Sequence, residues 1–271
     1  MISESENIIS LAFSPCPNDT FIFDALVNNK IDTKGLKFNY DLLDIENLNN
    51  EAINNKYDVT KLSFNAFLYV RNNYELLKSG AALGNNCGPI LISKKNYSLS
   101  EIKNLKIGLP GEHTTAAFLF KYAFQKSTNV EYLCFSDIEN AILTDEVDAG
   151  VIIHESRFTF EQKGLIKLID LGEYWEKTTN MPIPLGGIFA KKSLSIELKK
   201  KINNLIRKSI LFAIDKTESS KEFIKNNARE LDDKVINQHI NLYVNKYSID
   251  LGVDGMKAVE KFIEIAHIIN K

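Results

Sequence analysis

Twice in this chain an apolar run closes on a short loop of small and polar residues and leads directly into a helical pattern. The first is IISLAF at 8–13, followed by Ser14-Pro15-Cys16-Pro17-Asn18-Asp19; the second is LKIGLP at 105–110, followed by Gly111-Glu112-His113-Thr114-Thr115. Strand, loop and exposed helix N-terminus, repeated, make this an α/β chain with crossover helices between strands. The same rhythm fills the intervals. Strands are expected at 36–43, 57–63, 89–93, 130–135, 149–153 and 165–171, helices at 45–55, 64–71, 116–125 and 138–144, and a returning strand at 181–190. From residue 194 the apolar spacing is helical almost throughout, over 196–214, 219–226, 232–245 and 255–269, and reads as packing; His239, Tyr243 and His267 fall there.

A chain of 271 residues that is 44% apolar has material for one large core or two smaller ones. Its 33 basic and 35 acidic residues leave a net charge of -2 and no block of like charge, so neither nucleic acid nor an anionic membrane is an expected partner. The acidic start MISESENIISLAF fits neither a secretory signal nor a spanning helix, and the expected location is the cytoplasm. Cys16, Cys87 and Cys134 are far apart and show no metal-ligand spacing, so reduced thiols are expected and no metal. The glycines form neither GxxxxGK[ST] nor GxGxxG, and no cofactor is expected. The expected partner is a small-molecule substrate; oligomeric state is not legible.

Ligands of open α/β sheets bind beyond the carboxyl ends of the strands, which directs attention to what stands there. His154 closes the buried-type run AGVII, and an imidazole titrates near neutrality, which suits a general base; a hydrogen-bonded structural histidine is the competing reading. Alternation along an extended strand would turn Glu155 away from His154, and Arg157 is a candidate partner for Glu155 or another carboxylate. Lys61 and Ser63 end the strand of 57–63, where an ammonium and a hydroxyl could hold a carboxylate; a surface lysine and a helix cap are the plainer reading. Asn18 and Asp19, expected to cap the first helix, and Thr114 and Thr115 at the start of another mark helix N-termini open to an anion. Gly186 and Gly187 allow a backbone to lie close to a ligand, and His113 ranks below His154.

Taken in order, SPCPNDTFIFDALV, TKLS, GEHTTA, GVIIHESRFTF, PLGGI and YVNKYSIDLG resemble the 1,4-dihydroxy-6-naphthoate synthase family of the futalosine route to menaquinone, over nearly the whole chain. The resemblance implies a type-II periplasmic-binding-protein-like fold with a ligand cleft between two α/β domains. We set these at 1–93 plus 190–271 and at 94–189. It implies a carbon-carbon lyase that splits cyclic dehypoxanthine futalosine into 1,4-dihydroxy-6-naphthoate and a sugar-derived fragment. It also implies substrate contacts at Lys61, Leu62, Ser63, Thr115 and Ala116; Thr114, Asn18, Asp19 and Gly187 are added from their expected places. Glu112 departs from the basic residue the family often carries before His113. The competing function is a non-catalytic binding protein for a small carboxylate, built on the same clamp; a ligand-sensing regulatory domain lacks a DNA-binding segment.

Overall fold

The computed structural model describes residues 8–127, 129–229 and 232–269. Its strands are β1 (Ile8–Phe13), β2 (Lys37–Leu42), β3 (Val59–Ser63), β4 (Tyr74–Leu76), β5 (Ala82–Gly84), β6 (Ile90–Ser93), β7 (Ile107–Leu109), β8 (Val130–Tyr132), β9 (Ala149–Ile152), β10 (Ile166–Asp170) and β11 (Ile183–Lys191). Its helices are α1 (Pro17–Val27), α2 (Ile45–Ile53), α3 (Phe64–Val70), α4 (Thr115–Ala123), α5 (Ile138–Leu143), α6 (Ser156–Thr159), α7 (Leu171–Thr179), α8 (Ile196–Asp215), α9 (Lys221–Asn227), α10 (Asp233–Tyr243), α11 (Lys246–Ile249) and α12 (Gly252–Ile269).

Two sheets result. One runs β2-β1-β3-β11-β4 with β5 paired to β11; the other runs β10-β6-β9-β7-β8. The parallel pairs are β1 with β2 and β3, and β7 with β8 and β9, each joined through helices as parallel pairing demands. Their carboxyl ends bring Ser14, Ser63, Gly111 and His154 to the seam between the sheets.

Sheet membership departs from the expected division at two strands. β6, expected in the first domain, pairs with β9 and β10 of the second sheet. β11, mostly expected in the second, pairs with β3, β4 and β5 of the first. Both belong to the two chain crossings, where an apolar run reads alike in either sheet.

The C-terminal helices pack as their periodicity requires. α8 buries Ile202, Leu205, Ile206 and Ile210 in a core with Ile9, Phe13, Ile22 and Leu26. α12 contributes Ala258, Val259, Phe262 and Ala266 to a larger core that also holds Leu62 and Phe189 of the first sheet and Ile107 and Val151 of the second. Phe262 meets Phe118 at 4.6 Å, Trp175 at 5.6 Å and Phe64 at 6.3 Å between ring centres. One helix thus ties both sheets together.

Candidate functional site

At the seam lies a largely apolar cleft of about 90 Å³, concave and mostly apolar with a few polar groups, as small-molecule sites are. Among the residues that line it are Asn18, Asp19, Lys61, Ser63, Thr114, Thr115, Ala116 and His154. Two expected residues face elsewhere. Leu62 alternates away from Lys61 and Ser63 into the core. Gly187 does the same beside Gly186: a Cβ on Gly187 would meet Leu76 at 2.7 Å and Phe64 at 3.2 Å. Gly186 lines the cleft, and a Cβ there would fall 2.9 Å from the Leu62 carbonyl oxygen, which is why β11 needs glycine at that place.

His154 lies beyond the end of β9 in the left-handed region, φ 59°, which stops the strand alternation. Glu155 is therefore not turned away. Its carboxylate lies within 4.8 Å of a His154 ring nitrogen and of Cys16 Sγ. The His154 Nδ1 is 3.4 Å from Cys16 Sγ, and Nε2 has no partner among the described residues. Burial holds the imidazole below its usual range, against the upward pull of Glu155 and Asp19, so near neutral pH the ring is uncharged. Burial also raises Cys16 far above a normal thiol, with Glu155 adding to the effect. Cys16 is thus a thiol that shares a hydrogen bond with His154 rather than a nucleophilic thiolate. Of the two alternatives for Arg157, the structure shows another carboxylate rather than Glu155: it pairs with Asp170 at 2.7 Å and also binds the Gly88 and Asn86 carbonyls.

A buried polar chain supports this wall. Asp19 does not cap α1, whose N-cap Cys16 makes no side-chain bond. Its carboxylate instead accepts from Lys61 Nζ at 2.8 Å, Ser14 Oγ at 2.7 Å and Asn18 Nδ2 at 2.9 Å. Lys61, expected to wait for a ligand, is already held by an opposite charge. With its amide nitrogen on Asp19, Asn18 turns Oδ1 to His239 Nε2 at 2.9 Å.

Across the cleft, Thr114 caps α4 by accepting the Ala117 N–H at 3.1 Å and donating to the Gly111 carbonyl at 2.9 Å. The Thr115 and Ala116 N–H groups remain in the first turn, where an anion is favoured. Thr115 Oγ1 donates to the Leu185 carbonyl at 2.7 Å, linking α4 to β11. Ser63 Oγ accepts from Asn49 at 3.2 Å and keeps its own proton to donate. His113 is outside the cleft; its N–H donates to Glu46 at 3.0 Å.

Among the described residues, Cys16, His154 and Glu155 form the group able to hold a metal ion. Their donor atoms spread over as much as 4.8 Å, against about 3.5 Å around one tetrahedral zinc.

The model of a family described as menaquinone biosynthesis matches residues 9–267. The chain belongs to this menaquinone biosynthesis family. A relative from Thermus thermophilus, named 1,4-dihydroxy-6-naphtoate synthase, is 39% identical over 93% of this chain and 92% of its own. A relative of the same name from Streptomyces coelicolor is 36% identical over 94% and 91%. A crystal structure of an Archaeoglobus fulgidus protein superposes with a TM-score of 0.92, at 32% identity, over 97% of this chain and 98% of that one. The periplasmic aliphatic sulphonate binding protein of Escherichia coli shares the fold at a TM-score of 0.68 and 13% identity, over 98% and 94% of the two chains.

Within this family member, sequence reasoning missed His239 and Tyr243, which line the cleft from α10. Both lay in a stretch read as packing, and both are indeed buried. The signal available was that Tyr243 opens YVNKYSIDLG, a motif of the resemblance, with His239 one helical turn before it. Cys16 was read only as a reduced thiol, since its partner His154 is 138 residues away. Among the described residues, no helix is long and apolar enough to cross a membrane.

Proposed function

We propose that this protein is a 1,4-dihydroxy-6-naphthoate synthase that splits cyclic dehypoxanthine futalosine, with His154 as the general base. The observation that carries the assignment is the state of the His154 ring, which lines an apolar cleft with Nδ1 on Cys16 and Nε2 unpartnered. The reading takes the tautomer with its hydrogen on Nδ1, toward the sulfur, which leaves the lone pair on Nε2, the requirement for taking a proton from carbon.

Nε2 removes a proton from the substrate's carbocycle. The electron pair left behind moves into the ring, which becomes aromatic, as the bond to the sugar portion breaks. The departing fragment takes the electrons of that bond and then the proton held on His154, which returns to its starting form. Apolar walls from Ile45, Ala82, Pro89 and Leu185 suit the ring system. A ring carboxylate is best received by the Thr115 and Ala116 N–H groups with Ser63 Oγ, because Lys61 is committed to Asp19. Such a biosynthetic enzyme works in the cytoplasm.

The test is incubation of the purified protein with cyclic dehypoxanthine futalosine, following release of the naphthoate by mass. Product at a rate proportional to protein is expected. Stoichiometric binding without product would instead make this a binding protein on the same clamp.

A further inference from the structure

The wall behind His154 holds two buried polar atoms that the base itself does not use. Glu155 Oε2 and His239 Nδ1 each lack a hydrogen-bond partner among the described residues, and they face each other at 4.0 Å. His239 is 1% exposed and the Glu155 side chain 14%.

The orientation of His239 follows from its neighbours. Asp19 can only accept, so Asn18 must direct its NH₂ to Asp19 and its oxygen to His239. His239 Nε2 therefore carries a hydrogen, and in the neutral ring Nδ1 carries the lone pair. Burial, with the charge of Lys61 and that of His154 whenever it is protonated, holds His239 well below the usual histidine range. It is a poor home for a proton. Its ring lies nearly parallel to His154, 19° apart with centres at 6.2 Å, so Glu155 sits beside two imidazoles. Of these, His239 cannot readily become cationic, whereas His154 becomes cationic each time it takes a proton from the substrate.

We propose that Glu155 is the counter-charge of the imidazolium that forms on His154, and that His239 is the positioning residue whose lone-pair-bearing Nδ1, facing the carboxylate at 4.0 Å, repels it toward His154. The proposal rests on the reading of His154 as the base. The other groups facing this pair are Cys16 and Asp19 from the β1–α1 loop and α1, Asp44 at the start of α2 and Lys61 on β3. Arg229 stands over Phe135, whose ring meets His154 edge-on at 5.0 Å. Asp19 is matched by Lys61, and Glu155 is the first of the charged groups in its pull on His154.

The experiment is a side-chain NMR titration of His154 in the free protein, with and without Glu155→Gln and Glu155→Asp, next to the pH profile of kcat. In Glu155→Gln the His154 midpoint falls by about one pH unit. The acid limb of kcat moves down with it, because the base stays neutral to lower pH, and kcat drops about tenfold or more with KM within twofold. Glu155→Asp keeps the charge and retains the unmutated midpoint to within a few tenths of a unit. His239→Gln lowers the His154 midpoint as well as kcat, with the fold unchanged by near-UV circular dichroism of the buried Trp175; an unchanged midpoint in that variant overturns the positioning role. An unchanged His154 midpoint in Glu155→Gln, or an equal shift in Glu155→Asp, overturns the proposal. The titration needs no substrate, so it decides the pairing even if the unmutated protein fails to turn over the futalosine and the catalytic reading falls.

Discussion

Asp19→Asn is the substitution for which the structure sets the largest and most specific cost. Asp19 and Lys61 are 2% and 5% exposed, and their 2.8 Å contact is the ammonium's one contact with an opposite charge in the described structure. An asparagine keeps the shape and can still accept from Ser14, but it leaves an ammonium buried without a counter-charge. Removing one partner of a buried pair costs about 3–5 kcal/mol, most of it the penalty of the stranded ion. For a chain of this size that lowers Tm by about 10 °C. Urea unfolding followed by fluorescence of Trp175, the single tryptophan and wholly buried, measures it directly. The control is Asp19→Asn with Lys61→Met, which removes the stranded charge and should recover at least about 2 kcal/mol. A single-variant cost under about 1 kcal/mol, or a double variant costing the sum of both singles, would refute the stranded-ion reasoning.

Acid sensitivity has a stated sign. His154 and His239 both have folded-state values depressed below 6.5. The unfolded chain therefore binds more protons just below that pH, and stability present above 6.5 is lost as pH falls toward the folded values. The slope should approach about 1.4 kcal/mol per pH unit for each histidine, and His239→Gln should reduce it in urea midpoints measured between pH 5 and 7. Thiol titration with an aromatic disulfide at pH 8 should show one rapid group, Cys134, which is exposed, and three in urea; Cys16 and Cys87 are buried, the latter with its thiol pushed up to about 12. Phe262→Ala should cost about 3–5 kcal/mol and broaden unfolding, since that ring packs against Phe64 of α3 and Trp175 of α7 in the core shared by both sheets. Thr114→Ala should cost about 1 kcal/mol through the lost α4 cap and weaken ligand binding modestly.

Most strands and helices were legible because each carries its own period: IISLAF, VTKLS and AGVI are short apolar runs ending on polar residues, and α8 and α12 repeat at helical spacing. His154 was legible for the same reason, as the polar residue closing such a run. What failed were inferences that extend a local rule past its end. Glu155 was turned the wrong way because alternation was carried through His154, whose positive φ breaks it. Asn18 and Asp19 look like caps in isolation, yet Lys61, 42 residues on, and His239, 221 residues on, claim their side chains. β6 and β11 were divided wrongly between the sheets because partner choice at a crossing is set by tertiary pairing, which leaves no mark in an apolar run. His239 has an ordinary helical context, and only the folded chain sets it against Asn18 and Glu155.

The claim on which the rest depends is that His154 Nε2 takes the substrate's proton. The direct measurement is single-turnover release of the naphthoate from cyclic dehypoxanthine futalosine by the unmutated protein and by His154→Gln, with substrate affinity determined for both. The account requires the variant to bind within a few-fold of the parent and to lose at least about a hundredfold in rate. A variant that binds and releases naphthoate at the parent's rate would contradict it and leave His154 as a structural partner of Cys16.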